Sequence, residues 1–393
     1  MPVLKNVLGL DLGTHSLKAV ELQQTLRGFE AVQLRSLPRT DDEAALPDVV
    51  QRFVGLHRLS TDHVVAALPG DRLSSRRLSF PFRERRKLAQ AVPFAVEAEL
   101  PFDLEDVVID WEAVGGDRSR TDVMAAIAPR SEVSTLLALL DQAGCTPRTL
   151  EAEGLVLGNL AAVFDLPGAR LLLDLGHRKT TFCVLLDGRA VAARTLPVAG
   201  RHLTEALAAD RGLSAADAER VKCEEGVFGA GLGDAPPQTS RILDRIAREI
   251  ARTLGAVEDL LGGAPLDEIT LFGGTALLDR LDAFLAERTG IATARLGLPR
   301  EGHGEGLVAG GPPVLFAPAI ALALRGTAQA RTRMNFRRDE FAVRLDLWRF
   351  ARSFRTTAWI AAAVLLLALL GFGTRTLLHA RQATALEAQV AAL

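Results

Sequence analysis

The sequence predicts a mixed α/β chain built from two related halves, with one apolar helix near its C-terminus. Three observations carry this reading. Val7–Leu22 (VLGLDLGTHSLKAVEL) rises as an apolar strand to Asp11, breaks at Gly13, turns through Thr14, His15 and Ser16, and resumes as an apolar strand. Leu171–Leu186 (LLLDLGHRKTTFCVLL) repeats the pattern with Asp174, Gly176 and the hydroxyls of Thr180 and Thr181. Between Arg355 and Arg375, 19 consecutive residues carry no charge.

Each hairpin is suited to phosphate. Glycine lets the backbone come close, and the free N–H groups of the turn supply donors without a full charge. An aspartate at a strand end can hold magnesium through water, so Asp11 and Asp174 are the candidate metal-binding residues. One copy alone would be a tight turn with an aspartate at its edge, since short motifs match by chance. Two copies suggest two such turns facing one cleft. A third piece, Ile269–Ala276 (ITLFGGTA), ends an apolar strand in Gly273–Gly274, where a backbone could pass against an adenosine.

Composition sets outer limits. The length of 393 residues admits two or more domains, and a net charge of −2 gives no global reason to expect nucleic acid. Cys145, Cys183 and Cys223 lack CxxC spacing; buried thiols in a reducing compartment are expected, not zinc or disulfides. No GxxxxGK[ST] occurs, which excludes a P-loop ATPase, and the glycines of Gly226–Gly233 do not open a βαβ unit. The N-terminus has no signal-peptide pattern, so the bulk of the chain is expected in the cytoplasm.

Apolar spacing predicts the remaining elements. Phe29–Arg35 and His63–Pro69 read as strands flanking a helix over Asp41–Leu56. A helix over Glu84–Glu99 stops at Leu100–Pro101–Phe102 and leads through an acidic turn to strands Val107–Val114 and Thr121–Ala128, then a helix Arg130–Ala143. Leu150–Phe164 is expected to be a helix leading into the second half. Helices follow at Gly200–Arg211, Ser214–Glu225, Ser240–Leu261 and Leu277–Arg288, and Phe316–Arg325 is expected to close the second half.

The two hairpins, the Glu219 and Lys222 pair in Ala218–Lys222 and the glycine pair, in that order, resemble the actin-like (ribonuclease H-like) ATPase superfamily. The resemblance implies a two-lobed α/β fold with ATP and Mg2+ in the cleft. Asp11, Gly13, Thr14, His15, Lys18, Asp174, Gly176 and Thr180 would then face the phosphates and metal. Glu219 and Lys222 would face ribose and base, and Gly273 and Gly274 the adenosine. The insertion with its LPF turn resembles the subdomain of PilM, of GspL and of FtsA; actins, Hsp70 chaperones and sugar kinases lack it. Met334–Arg344 (MNFRRDEFAVR) resembles the stretch before the membrane helix in GspL, and the start of PilN, the separate chain that docks on PilM.

The boundaries implied are a first lobe over 1–165 with the insertion at about 77–150, a second lobe over 166–330, a basic juxtamembrane segment over 331–355, a transmembrane helix over 356–374 and a short periplasmic tail over 375–393 that starts a coiled coil. The 19 uncharged residues span about 28 Å, close to a hydrocarbon core. Trp348, Phe350, Phe354 and Trp359 suit an interfacial belt. Arg337, Arg338, Arg344, Arg349, Arg352 and Arg355 precede the span, while Arg375 and Arg381 follow it. That asymmetry places the actin-like part in the cytoplasm, where the arginines also suit anionic lipid, and the resemblance to GspL implies that the membrane is a bacterial inner membrane.

The resemblance to GspL implies a scaffold of the type II secretion system. It would recruit a GspE-like ATPase, work with a GspM-like bitopic protein and a GspF-like platform protein, and form a homodimer. The alternative is a PilM-like nucleotide-binding protein of type IV pilus assembly. There is no catalytic base beyond the two aspartates, and His15 and His177 are bulky for phosphate turns. ATP binding without hydrolysis is therefore expected, and no enzyme.

Overall fold

Both predicted hairpins form, and each founds a sheet of the same topology. β1 (Asn6–Asp11) pairs antiparallel with β2 (Ser16–Thr25), which pairs antiparallel with β3 (Gly28–Pro38). α1 (Leu46–His57) crosses over, and β4 (Val64–Leu68) and β8 (Pro147–Ala152) extend the other side in parallel. The order is β3-β2-β1-β4-β8. In the second sheet β9 (Ala169–Leu175), β10 (Thr180–Leu186) and β11 (Arg189–Leu196) are antiparallel, and β12 (Glu268–Phe272) and β13 (Thr293–Arg295) are parallel additions. Its order is β11-β10-β9-β12-β13. Parallel strands at the centre need both faces covered. Hence Leu171, Leu172, Leu173, Ile269 and Leu271 are all fully buried.

This computed structural model describes residues 6–390 apart from 27, 40, 41, 43, 44, 99, 101, 102, 117, 118, 264, 303, 304 and 344–346. Pro101 and Phe102 of the LPF turn and Arg344 lie outside the described residues, as do the side chains of Trp348, Arg349, Phe350, Arg352, Phe354 and Arg355. The chain divides into two units, Met1–Phe341 and Ala342–Leu393.

Between β4 and β8 the first lobe carries β5 (Ser74–Phe80), α2 (Arg85–Glu97), β6 (Val107–Gly116), β7 (Thr121–Pro129) and α3 (Arg130–Gln142). The three strands form a separate sheet, β5-β7-β6. Alternation along β7 divides its side chains: Val123, Ala125 and Ile127 join a small core under α2, while Met124, Ala126 and Ala128 join the main core. The inserted sheet therefore runs from Ser74 to Pro129 and not over 77–150, because β8 returns to the first sheet.

Other expectations need correction. Leu150–Phe164 is not one helix: Leu150, Glu151 and Ala152 end β8, α4 (Glu153–Val156) is a single turn, and a 3-10 stretch follows. An all-buried run has no period to tell strand from helix. The helix predicted from Leu277 becomes a 3-10 turn, Gly274–Leu277, and then α8 (Leu281–Thr289). The second lobe's helices α5 (Gly200–Arg211), α6 (Ala215–Glu224) and α7 (Pro237–Val257) lie where spacing put them. The last helix, α9 (Pro313–Arg325), packs mainly on β1 and β2 of the first lobe instead of closing the second. Gly9 permits this, because a Cβ there would collide with the backbone of Ala319 and Ala323. Cys145 and Cys183 are buried as expected, but Cys223 is exposed.

The second unit is one helix, α10 (Leu347–Val390), of 44 residues. Within Trp359–Thr384 a window of 18 residues has a mean hydropathy of 1.9, and none of that window is buried. The helix is long and apolar enough to cross a membrane, and it contains the expected span 356–374.

Candidate functional site: the inter-lobe cleft and a docked segment

The tips of the two hairpins face each other. His15 and His177 have ring centroids 5.3 Å apart. Behind them Asp11, at the end of β1, lies opposite Lys18 on β2, with carboxylate and ammonium 3.7 Å apart. Asp174 is the penultimate residue of β9, paired with Thr181 and Phe272. Burial, then the neighbouring Asp11 and Glu153 carboxylates, push the Asp174 pKa up to about 8. Burial likewise raises Asp11, against the pull of Lys18. The two predicted aspartates thus share one electrostatic environment.

Three residues at this site were not singled out in the sequence: Glu153, Gly70 and Lys179. Glu153 starts α4 directly after β8. It accepts from the Gly70 amide at 2.6 Å and from Lys179 Nζ at 2.7 Å, and Lys179 also reaches Asp71 at 3.3 Å. Burial opposes the charge on Lys179, but Glu153 and Asp71 more than offset it and raise its pKa. The available signal was an acid at a strand end followed by Gly154, the same device as Asp11 before Gly13. It was hidden inside a stretch read as helix.

The residues expected to face a nucleoside are joined by one chain of hydrogen bonds. The Gly176 carbonyl accepts from Thr275 Oγ1 at 2.8 Å and from the Gly200 amide at 3.1 Å. The Gly200 carbonyl accepts from Lys222 Nζ at 3.2 Å. Lys222 is buried, donates to Thr204 Oγ1 at 2.9 Å and pairs with Glu219 at 2.6 Å, and Thr204 also donates to Glu219. Gly273 is a residue for which only glycine serves: its φ is +90°, and a Cβ would lie 2.5 Å from Asp174 Oδ1. A Cβ on Gly274 would meet nothing within 4 Å. Gly13 closes the first turn, where a Cβ would lie 2.6 Å from the Ser16 carbonyl. Thr14 sits in the same turn, partly buried. Thr180 departs from the expectation. It is fully buried and its hydroxyl donates to the Val198 carbonyl at 2.6 Å, so it supports the turn instead of facing the cleft.

Three carboxyl groups (Asp11, Asp174, Glu153) face two ammoniums (Lys18, Lys179), and the proton that burial keeps on Asp174 is what an incoming cation would replace. Among the described residues no group of three or more His, Cys, Asp or Glu could hold a metal unaided. Magnesium ordinarily takes one or two carboxylates and completes its shell with phosphate and water. Asp11 and Asp174 therefore fit an ion that arrives with a nucleotide.

A second site lies on the edge of β8. Residues 331–338, the start of the expected basic juxtamembrane segment, are seated on β8 and β6. The amides of Arg331 and Thr332 donate to Asn159 Oδ1 at 2.7 and 3.1 Å, and Thr332 Oγ1 donates to Glu151 at 2.7 Å. The amides of Arg333 and Asn335 donate to Glu112 at 2.9 Å and Asp110 at 2.8 Å. Asn335 Oδ1 accepts from the Leu150 amide at 3.0 Å, and the Phe336 amide donates to the Leu150 carbonyl at 2.8 Å. Met334 and Phe336 are buried, and Arg338 pairs with Asp110. Glu151 is buried against Arg325 at 2.7 Å, and burial pushes its pKa up to about 7.

Comparison with known proteins agrees with this geometry. The family model of the type IV pilus assembly protein PilM matches residues 9–301. A solved PilM–PilN type IV pilus biogenesis complex is 25% identical, with a TM-score of 0.67 over 81% of this chain and 98% of that one. The ethanolamine utilization protein EutJ from Carboxydothermus hydrogenoformans is 15% identical, with a TM-score of 0.47 over 82% of this chain and 90% of its own. The cytoplasmic domain of EpsL, an inner membrane component of the Vibrio cholerae type II secretion system, is 12% identical, with a TM-score of 0.42 over 86% and 100%. With two sheets of one topology, facing hairpins and a match over most of its length, the chain has the actin-like ATPase fold and belongs to the type IV pilus assembly protein PilM family.

Proposed function

We propose that this protein is a membrane-anchored assembly scaffold in which an actin-like unit and its docking segment are one chain, the arrangement of GspL in type II secretion. The seat of residues 331–338 carries the reading. In the solved relative PilM is paired with PilN; here a stretch resembling the start of PilN is held on β8 and continues in sequence to α10. A segment bound in its own chain pays no association entropy, so the anchor stays coupled to the unit at any concentration. The unit would recruit a GspE-like secretion ATPase, and α10 would meet GspM-like and GspF-like partners at an inner membrane. The test is co-elution of the full chain, in detergent, with the cognate GspE-like ATPase. A complex is expected, and its absence under every nucleotide condition overturns the scaffold role.

The acidic cleft favours a second role within the first, that of a PilM-like nucleotide-dependent clamp. Bound Mg-ATP would supply the cation that Asp11, Asp174 and Glu153 lack and phosphate for both hairpins. The amides of the turns at Gly13 and Gly176 would neutralise phosphate charge. Lys18 would favour the charged form of Asp11 against the effect of burial, and Glu219 with Lys222 would meet the nucleoside. Glu153 is spent on Lys179 and the Gly70 amide, and the two histidine rings narrow the gap. Both features support binding without hydrolysis, with nucleotide biasing the lobes toward closure. Titration with a fluorescent ATP analogue separates the cases. Wild type should bind and Asp11→Ala should not; equal binding by both ends this role.

A further inference from the structure

α7 presents a row of four arginines, of which the inner two, Arg245 and Arg248, have no carboxylate partner among the described residues. Arg241, Arg245, Arg248 and Arg252 are exposed, and steps of four, three and four residues put them on one helical face. The row is about 16 Å long. The acids beside it are engaged elsewhere. Asp244 faces Arg288 at 3.5 Å, buried Glu249 lies 2.7 Å from both Arg194 and Arg252, and Asp210 accepts the amides of Gln238 and Thr239. Among the described residues Arg245 and Arg248 have no carboxylate partner. Like charges at this spacing weaken a helix, so the row does not serve α7 itself. The next position on the same face is Ala256. It is exposed and lines a cavity of about 220 Å³, with Met124, Phe182, Val184, Val191, Val257 and Leu260 among its walls. Apolar cavities of about 150 Å³ already accept a benzene ring.

The inserted subdomain carries the complement. Leu88, Val92 and Val96 of α2 are buried, but Phe94 on the same helix is 70% exposed. Glu97 follows one turn later, and Asp103, Glu105 and Asp106 are exposed in the turn that leads to β6. Among the described residues none of these four carboxylates is in an ion pair.

We propose that these surfaces are the two sides of one contact between copies of this chain. Phe94 of one copy enters the cavity at the end of the row, and the acids that follow it lie along the arginines of the neighbour. Both surfaces have the same order, an apolar fixing point and then a run of charge. An aromatic anchor in a pocket is the usual centre of a protein interface, and charge pairs set register and partner. Because the two patches differ, the contact is heterologous, and repeating it builds an open string instead of a closed pair.

Sedimentation of the full chain in detergent, across concentrations and at low and high salt, tests this. Wild type should form species larger than a dimer that grow with concentration and shrink in high salt. Phe94→Ala, Arg245→Glu with Arg248→Glu, and Asp103→Lys with Glu105→Lys should each weaken assembly by at least about tenfold. All these side chains are exposed, so melting temperatures should stay near wild type. Mixing the two charge-reversed proteins should restore assembly. The proposal is overturned if wild type does not assemble, if the variants assemble like wild type, or if the mixture fails to recover. It is also overturned if the α7 variant assembles normally and loses only its binding to phosphatidylglycerol vesicles, which would assign the row to lipid.

Discussion

Asp174 sits where burial and two neighbouring carboxylates hold its proton. Its pKa rises from an ordinary 3.8 to about 8. Between those values the folded protein keeps a proton that the unfolded chain has released, so stability falls as pH rises through that window. Asp174→Asn should remove the dependence. Thermal melts should show a higher Tm at the alkaline end, worth roughly 1–3 kcal/mol, and a flatter profile below it. Gly273 supplies a second residue-scale prediction. Gly273→Ala forces a left-handed conformation on alanine and crowds Asp174 Oδ1, so a loss of about 1–3 kcal/mol is expected. Gly274→Ala meets open space and should leave the melt unchanged. The two aspartates and the glycine pair were legible because phosphate turns need those residue types at close spacing. Glu153 and Lys179 were not, because their role depends on two distant parts of the chain meeting.

At the scale of elements, the seated segment binds β8, α9 and β6 together. Phe336 is fully buried, and Phe336→Ala should cost about 3–5 kcal/mol in urea unfolding. Asn335→Ala strands the amides of Leu150 and Arg337 and should cost about 1–3 kcal/mol. Limited proteolysis should then cut both variants near residues 326–334 faster than wild type. MNFRR was visible as a motif, but its seat was not, since β8 itself was misread. A run buried on every side carries no periodicity, and only the partner strands and the segment along its edge define it.

For the whole molecule, the proposed topology keeps Met1–Phe341 on the arginine-rich side of the membrane and the end of α10 on the other. Cys223 is a native reporter, being exposed in the first unit. An impermeant thiol reagent applied to spheroplasts should label Ala388→Cys and spare Cys223 until the membrane is permeabilised. Labelling of Cys223 in intact spheroplasts would reverse the orientation. α9 is the element whose place most changed at this scale, since it follows the second lobe in sequence yet packs on the first.

The residues by themselves determined what is local and periodic: two phosphate-type hairpins, the apolar stripe of α7, the uncharged helix and the likeness between the halves. These follow from short-range sterics, hydrophobic spacing and the solubility of charge. Tertiary structure alone decided which distant groups share a dielectric. It brought Glu153 and Lys179 to the aspartates, set Phe336 on β8, turned Thr180 away from the cleft and left Arg245 and Arg248 without a carboxylate partner among the described residues. Desolvation and ion pairing act through space, and spacing along the chain does not encode them.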